Sequence, residues 1–348
     1  MNNMETEPET ALSSSRIMEA GMGFRASQTL LTAIKLNLFT ELGDDSVEAS
    51  ELKNRVQLHS PAMLDFLDAL VALEFLQREG TGREARYANT AETRLFLHRG
   101  SPAYIGGLLE MANDRLYPFW ANLEEALHTD KPQHEAKFID RPLFDVIYDD
   151  PAILEQFLNA MAGAQLGGFM ALAEKFDFSR FRSMCDVGGA NAMLSVCVAG
   201  QHPHLRCLSL DLPSVVPVAQ KTVDQFGLSK QIRVGSIDFM TQEFPETDII
   251  MMGNILHDCS LEDKQMLIRK AYDALPSGGA LIVIENIIDD DRKRNAFGLL
   301  MSLNMFMETE SGFDFTYADF QAWAAKAGFE STEKLSLVGP SSAVIAYK

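Results

Sequence analysis

The stretch DVGGANAMLS, Asp186 to Ser195, decides how the chain is read. It continues the apolar run SMC with an acid, then two adjacent glycines, then alanines at positions 190 and 192. An apolar strand, a glycine turn and a helix in that order open a nucleotide-binding α/β unit. A pyrophosphate would want glycines spaced G-x-G-x-x-G and a helix N-terminus left free for the phosphates. Here Gly188 and Gly189 are adjacent, Ala190 and Ala192 fill later positions, and Asp186 adds negative charge. The loop therefore suits a cationic nucleoside without phosphate. An alanine at positive φ costs about 1 kcal/mol or more, so residues 190 and 192 are expected to keep negative φ with their methyls turned from the ligand.

Outward from this loop the pattern repeats. SMCDVGG, LRCLSLDLP, IRVGSIDF, TDIIMMGNILHD and GALIVIEN are short apolar runs separated by helical segments such as EDKQMLIRKAYDAL. Near-continuous apolar strands with helical crossovers predict a doubly wound parallel sheet. The final STEKLSLVGPSSAVIAYK reads as two strands about a tight turn, a connection that only an antiparallel pair allows, so the last strand runs against the sheet.

Ligands of such sheets lie outside the carboxyl ends of the strands. The polar residues there are Asp186, Asp211, Asp238, the pair His257-Asp258, and Glu285. Asp211 follows Asp186 by about 25 residues, where a carboxylate accepts both hydrogen bonds of a ribose diol. His257 is the only histidine at a strand end. Beside an acid on the next strand it has the makings of a general base with an orienting carboxylate. One His and one adjacent Asp are too few for a metal, and no metal is expected.

Upstream, from about Ser14 to Lys175, the periodicity is helical. Leu30, Leu31, Ile34, Leu38 and Leu42 share one stripe. Helix, turn, a helix from Ser60-Pro61 and a hairpin near Gly80–Gly82 make the order of a winged helix. Its second helix carries Asp65, Asp68 and Glu74 and no basic residue, so DNA recognition is not expected. The net charge of −19 over 348 residues also disfavours nucleic acid and anionic membranes. Four scattered cysteines without CxxC spacing fit a reducing, cytoplasmic setting. The expected organisation is a disordered tail at 1–15, a winged helix at 16–100, a helical connecting region at 101–175 and an α/β domain at 176–348.

These motifs together resemble the S-adenosylmethionine-dependent small-molecule O-methyltransferases of plant and bacterial secondary metabolism. DVGGANA resembles that family's glycine-rich loop, LDLPSVV its ribose segment, GSIDF its adenine-side segment and NILHDCSLEDK its catalytic element. VIEN resembles the strand bearing a second catalytic acid, and SGFDFTYADFQAWAAKAGF the segment closing the active site. The resemblance implies a class I methyltransferase Rossmann-like sheet and an N-terminal dimerisation domain. It also implies a homodimer in which a partner's N-terminal helix reaches the active site. S-adenosylmethionine is the implied cofactor, held by Asp186, Gly188, Gly189, Asp211, Leu212, Asp238, Phe239 and Asn254. The implied catalytic residues are His257, Glu285 and Asp314, with Asp314 at the position of a family glutamate. Cys259 stands where the family has tryptophan. Phe157, Met161, Met301 and Met305 are candidates to sandwich a flat aromatic acceptor, with Arg115, Tyr117 and Trp120 as further contributors.

A phenol of pKa ~10 is only about one-thousandth phenolate at pH 7, a deficit of ~4 kcal/mol that a histidine base removes. Methylation of an acidic carbon would use the same base. A relative that keeps the cofactor but decarboxylates, hydroxylates or runs a pericyclic step is the other enzymatic alternative. A binding or regulatory protein built on the winged helix is the non-enzymatic one.

Overall fold

The computed structural model describes residues 12–59, 61–101, 103–134 and 148–348. The expected tail therefore lies mostly outside the described residues, as does Ser60 at the expected helix start. The chain divides into two compact units, Met1–Asn113 and Asp114–Lys348.

In the first unit, the helices Phe24–Lys35, Leu38–Leu42, Ala49–Arg55 and Met63–Ala72 pack with a small sheet. The sheet holds β1 (Val47–Glu48), β2 (Leu76–Glu79) and β3 (Arg86–Asn89) in the antiparallel order β1-β3-β2. This is a winged helix. Leu38, Phe39, Leu52, Leu67, Leu70 and Tyr87 form its buried centre. Asp68, on the helix that would read DNA, accepts a 2.7 Å hydrogen bond from the Tyr87 hydroxyl and pairs with Arg78 at 3.3 Å. That acid is committed to the fold.

The second unit is built on seven strands: β4 (Ser183–Val187), β5 (Arg206–Asp211), β6 (Ile232–Ser236), β7 (Ile249–Gly253), β8 (Ala280–Glu285), β9 (Ser331–Ser336) and β10 (Ser342–Tyr347). Their order is β6-β5-β4-β7-β8-β10-β9. Strands β4 to β8 pair in parallel, and β10 is antiparallel to both β8 and β9. The apolar runs are continuous because both faces are covered, and the period-two alternation of a strand divides them between two cores. Met184, Ile249, Met251, Ile282 and Ile345 pack under Phe169, Leu172, Leu194 and Val198 on one face. Cys185, Ile250, Met252, Leu281 and Val344 pack under Leu267, Ile268, Phe320 and Trp323 on the other. The strand order reverses between β4 and β7, which opens a crevice at their carboxyl ends.

All four cysteines are free. Among the described residues no helix is long and apolar enough to cross a membrane.

Candidate active site

The loop after β4 turns through Gly188, at φ 69°, and its amide and that of Gly189 both donate to the Leu210 carbonyl of β5. A side chain at either glycine would have to displace a neighbour. A Cβ on Gly188 would come within 2.3 Å of Ile255, and one on Gly189 within 2.2 Å of the Ser209 hydroxyl. Ala190 and Ala192 depart from expectation: both have positive φ, 49° and 64°. Tertiary contacts impose that conformation. The Ala190 amide donates to Asp211 Oδ2 at 2.9 Å, the Ala192 amide donates to the Gly189 carbonyl at 2.7 Å, and Ala192 is fully buried.

Asp211 ends β5, with Oδ1 accepting from the Leu212 amide at 2.7 Å. Burial pushes its carboxyl up, against the lowering pull of the Leu212 and Ala190 amides. Each carboxylate oxygen keeps further lone-pair capacity for a hydroxyl donor. Asp186 behaves differently. It is 1% exposed and Oδ2 accepts from the Ser195 hydroxyl at 3.0 Å, so it braces the loop and the helix Met193–Gln201. The expectation that it points charge into the crevice is corrected: burial holds it beneath the loop and pushes its pKa up to about 7.

Asp238 lies two residues past β6, exposed, and its carboxylate accepts from the Met240 amide and the Thr241 hydroxyl. It shapes a turn that Lys270 holds through the carbonyls of Phe239, Met240 and Gln242. That turn sets Phe239 beside Gly188. Leu212 packs with Phe157, Ala190 and Tyr148 around Leu154, Leu158 and Val215, which puts Phe157 by the nucleoside loop. Asn254 follows β7 at φ 52°, its amide donating to the Ile284 carbonyl, and redirects the chain into a short 3-10 turn, Leu256–Asp258. A phosphate-free nucleoside fits this cradle: a close-approach glycine, a carboxylate with spare acceptor capacity, and Phe239 and Ile255 as apolar walls.

His257 is carried by the 3-10 turn and is 6% exposed. Its amide donates to Glu285 Oε1 at 3.2 Å, so the acid at the end of β8 fixes the backbone of the histidine. The ring places Nδ1 at 3.6 Å from Glu285 Oε2 and 3.8 Å from Asp314 Oδ1, with Nε2 at 3.7 Å from Asp258 Oδ1. These separations are longer than direct hydrogen bonds. His257 Nδ1, Glu285 Oε2 and both Asp314 oxygens are buried without a hydrogen-bond partner. Burial by itself would lower the imidazolium pKa, but Glu285, Asp258 and Asp314 outweigh it and raise it to about 10. Burial pushes Glu285 up to about 7, against the opposing pull of His257.

Asp314 reaches the cluster despite its short side chain because its segment is held close. Its amide donates to the Ser302 hydroxyl at 3.1 Å, and Thr316 bridges Ile288 just beyond β8. A Cβ on Gly312 would come within 2.6 Å of the His257 carbonyl. The donor atoms of His257, Glu285 and Asp314 lie within 4.8 Å of one another. The buried ammonium of Lys264 beside the same acids already supplies positive charge.

Tyr148, Gln165 and Asn304 carry no sequence signal. The Tyr148 phenol is raised by burial first and then by the Asp211 and Asp258 carboxylates. Gln165 has a buried amide oxygen without a partner, close over Gly253 at the end of β7. On the helix Ala296–Glu308, Asn304 accepts from the Trp120 indole at 2.9 Å and donates to Glu308, which pairs with Arg115. Met305 is buried on that helix, and Met301 and Met161 are partly exposed.

Comparison with known proteins places the chain in a family. The O-methyltransferase domain matches residues 120–330, and the O-methyltransferase dimerisation domain matches residues 18–99. The chain is 36% identical to the tetracenomycin polyketide synthesis 8-O-methyl transferase TcmO of Streptomyces glaucescens, over 95% of this chain and 96% of that one. It is 30% identical to the N,N-dimethyltransferase OxyT of Streptomyces rimosus, over 94% of each. The crystal structure of human N-acetylserotonin methyltransferase in complex with SAM superposes with a TM-score of 0.89 at 26% identity, covering 98% of this chain and 99% of that one.

Proposed function

The chain belongs to the S-adenosylmethionine-dependent O-methyltransferase family, and on that premise we propose that it methylates a phenolic hydroxyl of an aromatic secondary metabolite, with His257 as general base. The geometry of His257 carries the reading. Its Nδ1 faces two buried acids while its Nε2 lies on the other side of the ring. S-adenosylmethionine, when bound, supplies an electrophilic methyl group on a sulfonium. Gly188, Gly189, Asp211, Leu212 and Phe239 would hold it. Asp186 and Asp238 act indirectly, by bracing the loop and the adenine-side turn.

The chain's own residues handle the proton. Neutral His257 accepts the acceptor hydroxyl's proton at Nε2. Its Nδ1–H turns to Glu285 or Asp314, which stabilise the imidazolium that forms. An imidazole raised to about 10 is matched to a phenol of pKa ~10, so the transfer is near thermoneutral. Matching has a consequence: the base form grows as pH rises, and kcat climbs into the alkaline range.

His257→Ala is expected to lower kcat on a phenol about 10²- to 10⁴-fold while leaving cofactor affinity near wild type. Raising the pH partly restores it, because solvent then supplies phenolate. The measurement is S-adenosylhomocysteine release with mass spectrometry of the product, over a panel of phenols, amines and acidic carbons. Undiminished phenol methylation by His257→Ala at neutral pH would overturn the assignment of the base. The likeness to OxyT favours a second reading, an amine acceptor. Product methylated at nitrogen, with phenols inert, would select it.

A further inference from the structure

Lys264 lies in the first turn of the helix Leu261–Ala274, an unfavourable end for a cation, and is 0% exposed. Its Nζ donates to the Cys259 carbonyl at 2.5 Å and stands 3.6 Å from the centroid of the Phe313 ring. Cys259 follows Asp258, and Phe313 precedes Asp314. The ammonium thus touches the neighbour of each acid that flanks His257 from outside β8. A methionine would fill similar space without the cost of burying charge.

We propose that Lys264 is a positioning residue that acts through His257: seated between the turn carrying Asp258 and the segment carrying Asp314, its charge offsets the surrounding acids and lets the imidazole release its proton. This rests on the reading of His257 as the base. The groups facing His257 are Glu285 from β8, Asp314 from the closing segment and Asp258 from its own turn. Burial draws Lys264 down to about 8, against the upward pull of Cys259, Glu285, Asp314 and Asp258. Asp263, on its own helix, is engaged with Ser260. Three acids around one imidazole already hold its proton into the alkaline range. A second cation in the cluster weakens that hold.

The test uses the full-length protein with labelled histidine. In Lys264→Met, the NMR titration midpoint of His257 and the acid limb of the kcat–pH profile should both move up by about one unit, lowering kcat at pH 7 about tenfold. Cofactor affinity by calorimetry should stay at the wild-type value. Lys264→Arg, which keeps the charge, should retain the wild-type limb. If Lys264→Met does not fold, Lys264→Gln keeps a donor for the Cys259 carbonyl without the charge and should give the same upward shift. A His257 midpoint unchanged in the folded neutral variant overturns the proposal. The midpoint is read without any acceptor. A protein inactive on every phenol, yet showing the shift, would therefore discard the phenol reading and leave the role of Lys264 standing.

Discussion

At positions 190 and 192 the backbone overrides what the side chains prefer. An alanine in the left-handed region costs about 1–2 kcal/mol, and the Asp211 carboxylate and the buried start of the helix hold both residues there. Ala192→Gly relieves that strain but gives up about 0.4–1 kcal/mol through unfolded-chain entropy and about 0.8 kcal/mol of buried methyl. Its stability should therefore stay within about 1 kcal/mol of wild type, with S-adenosylmethionine still bound. Gly188→Ala is the contrast, because its methyl would enter Ile255 at positive φ. It should lose more than about 2 kcal/mol of stability, measured by thermal melts, and most of its cofactor affinity by calorimetry. Wild-type melting and binding in Gly188→Ala would refute the close-approach argument. The strain at 190 was not legible in the sequence, since it is held by a carboxylate about 20 residues away in a pairing that only the sheet creates.

Strand ends gather the acids, and this gives β4 and β8 a shared dependence on pH. Burial raises Asp186 to about 7, Glu285 rises to about 7, and His257 rises to about 10 under its acids. All three hold protons more tightly folded than unfolded. The two carboxyls destabilise the fold as pH climbs from their ordinary range to about 7. The His257 contribution is complete below its unfolded pKa of ~6.5 and is lost on passing its folded value. Melting temperature should therefore fall steadily from about pH 5 to pH 10, and Glu285→Gln should flatten the acidic part of the slope. A melting temperature that rose with pH across this window would contradict the sign. These elements were readable because strand runs are short, apolar and punctuated by acids. Lys264, Gly312 and Tyr148 were not, because each gains its meaning from a contact between distant segments. In sequence Lys264 is one more lysine in an acidic helix start.

For the whole molecule, the N-terminal unit leaves Ile17, Met18, Met22 and Phe24 exposed at 74%, 51%, 42% and 52% on consecutive helices. The dimerisation domain matched over residues 18–99 supports a homodimer, and apolar residues of this kind are what a second copy covers. Light scattering should return about twice 38.6 kDa, with Phe24→Asp and Ile17→Asp together shifting the protein toward monomer. A monomer mass at micromolar concentration would refute it. Sheet order carries a separate consequence for synthesis. Strand β9 is made before β10, yet β10 is its sheet neighbour and lies between β9 and β8. On the ribosome, β9 emerges with no edge to join, while the apolar edge of β8 stays bare until the hairpin docks as one piece. For that interval the nascent chain presents an open template to any other strand, and a chaperone able to shield it would raise the yield of native enzyme.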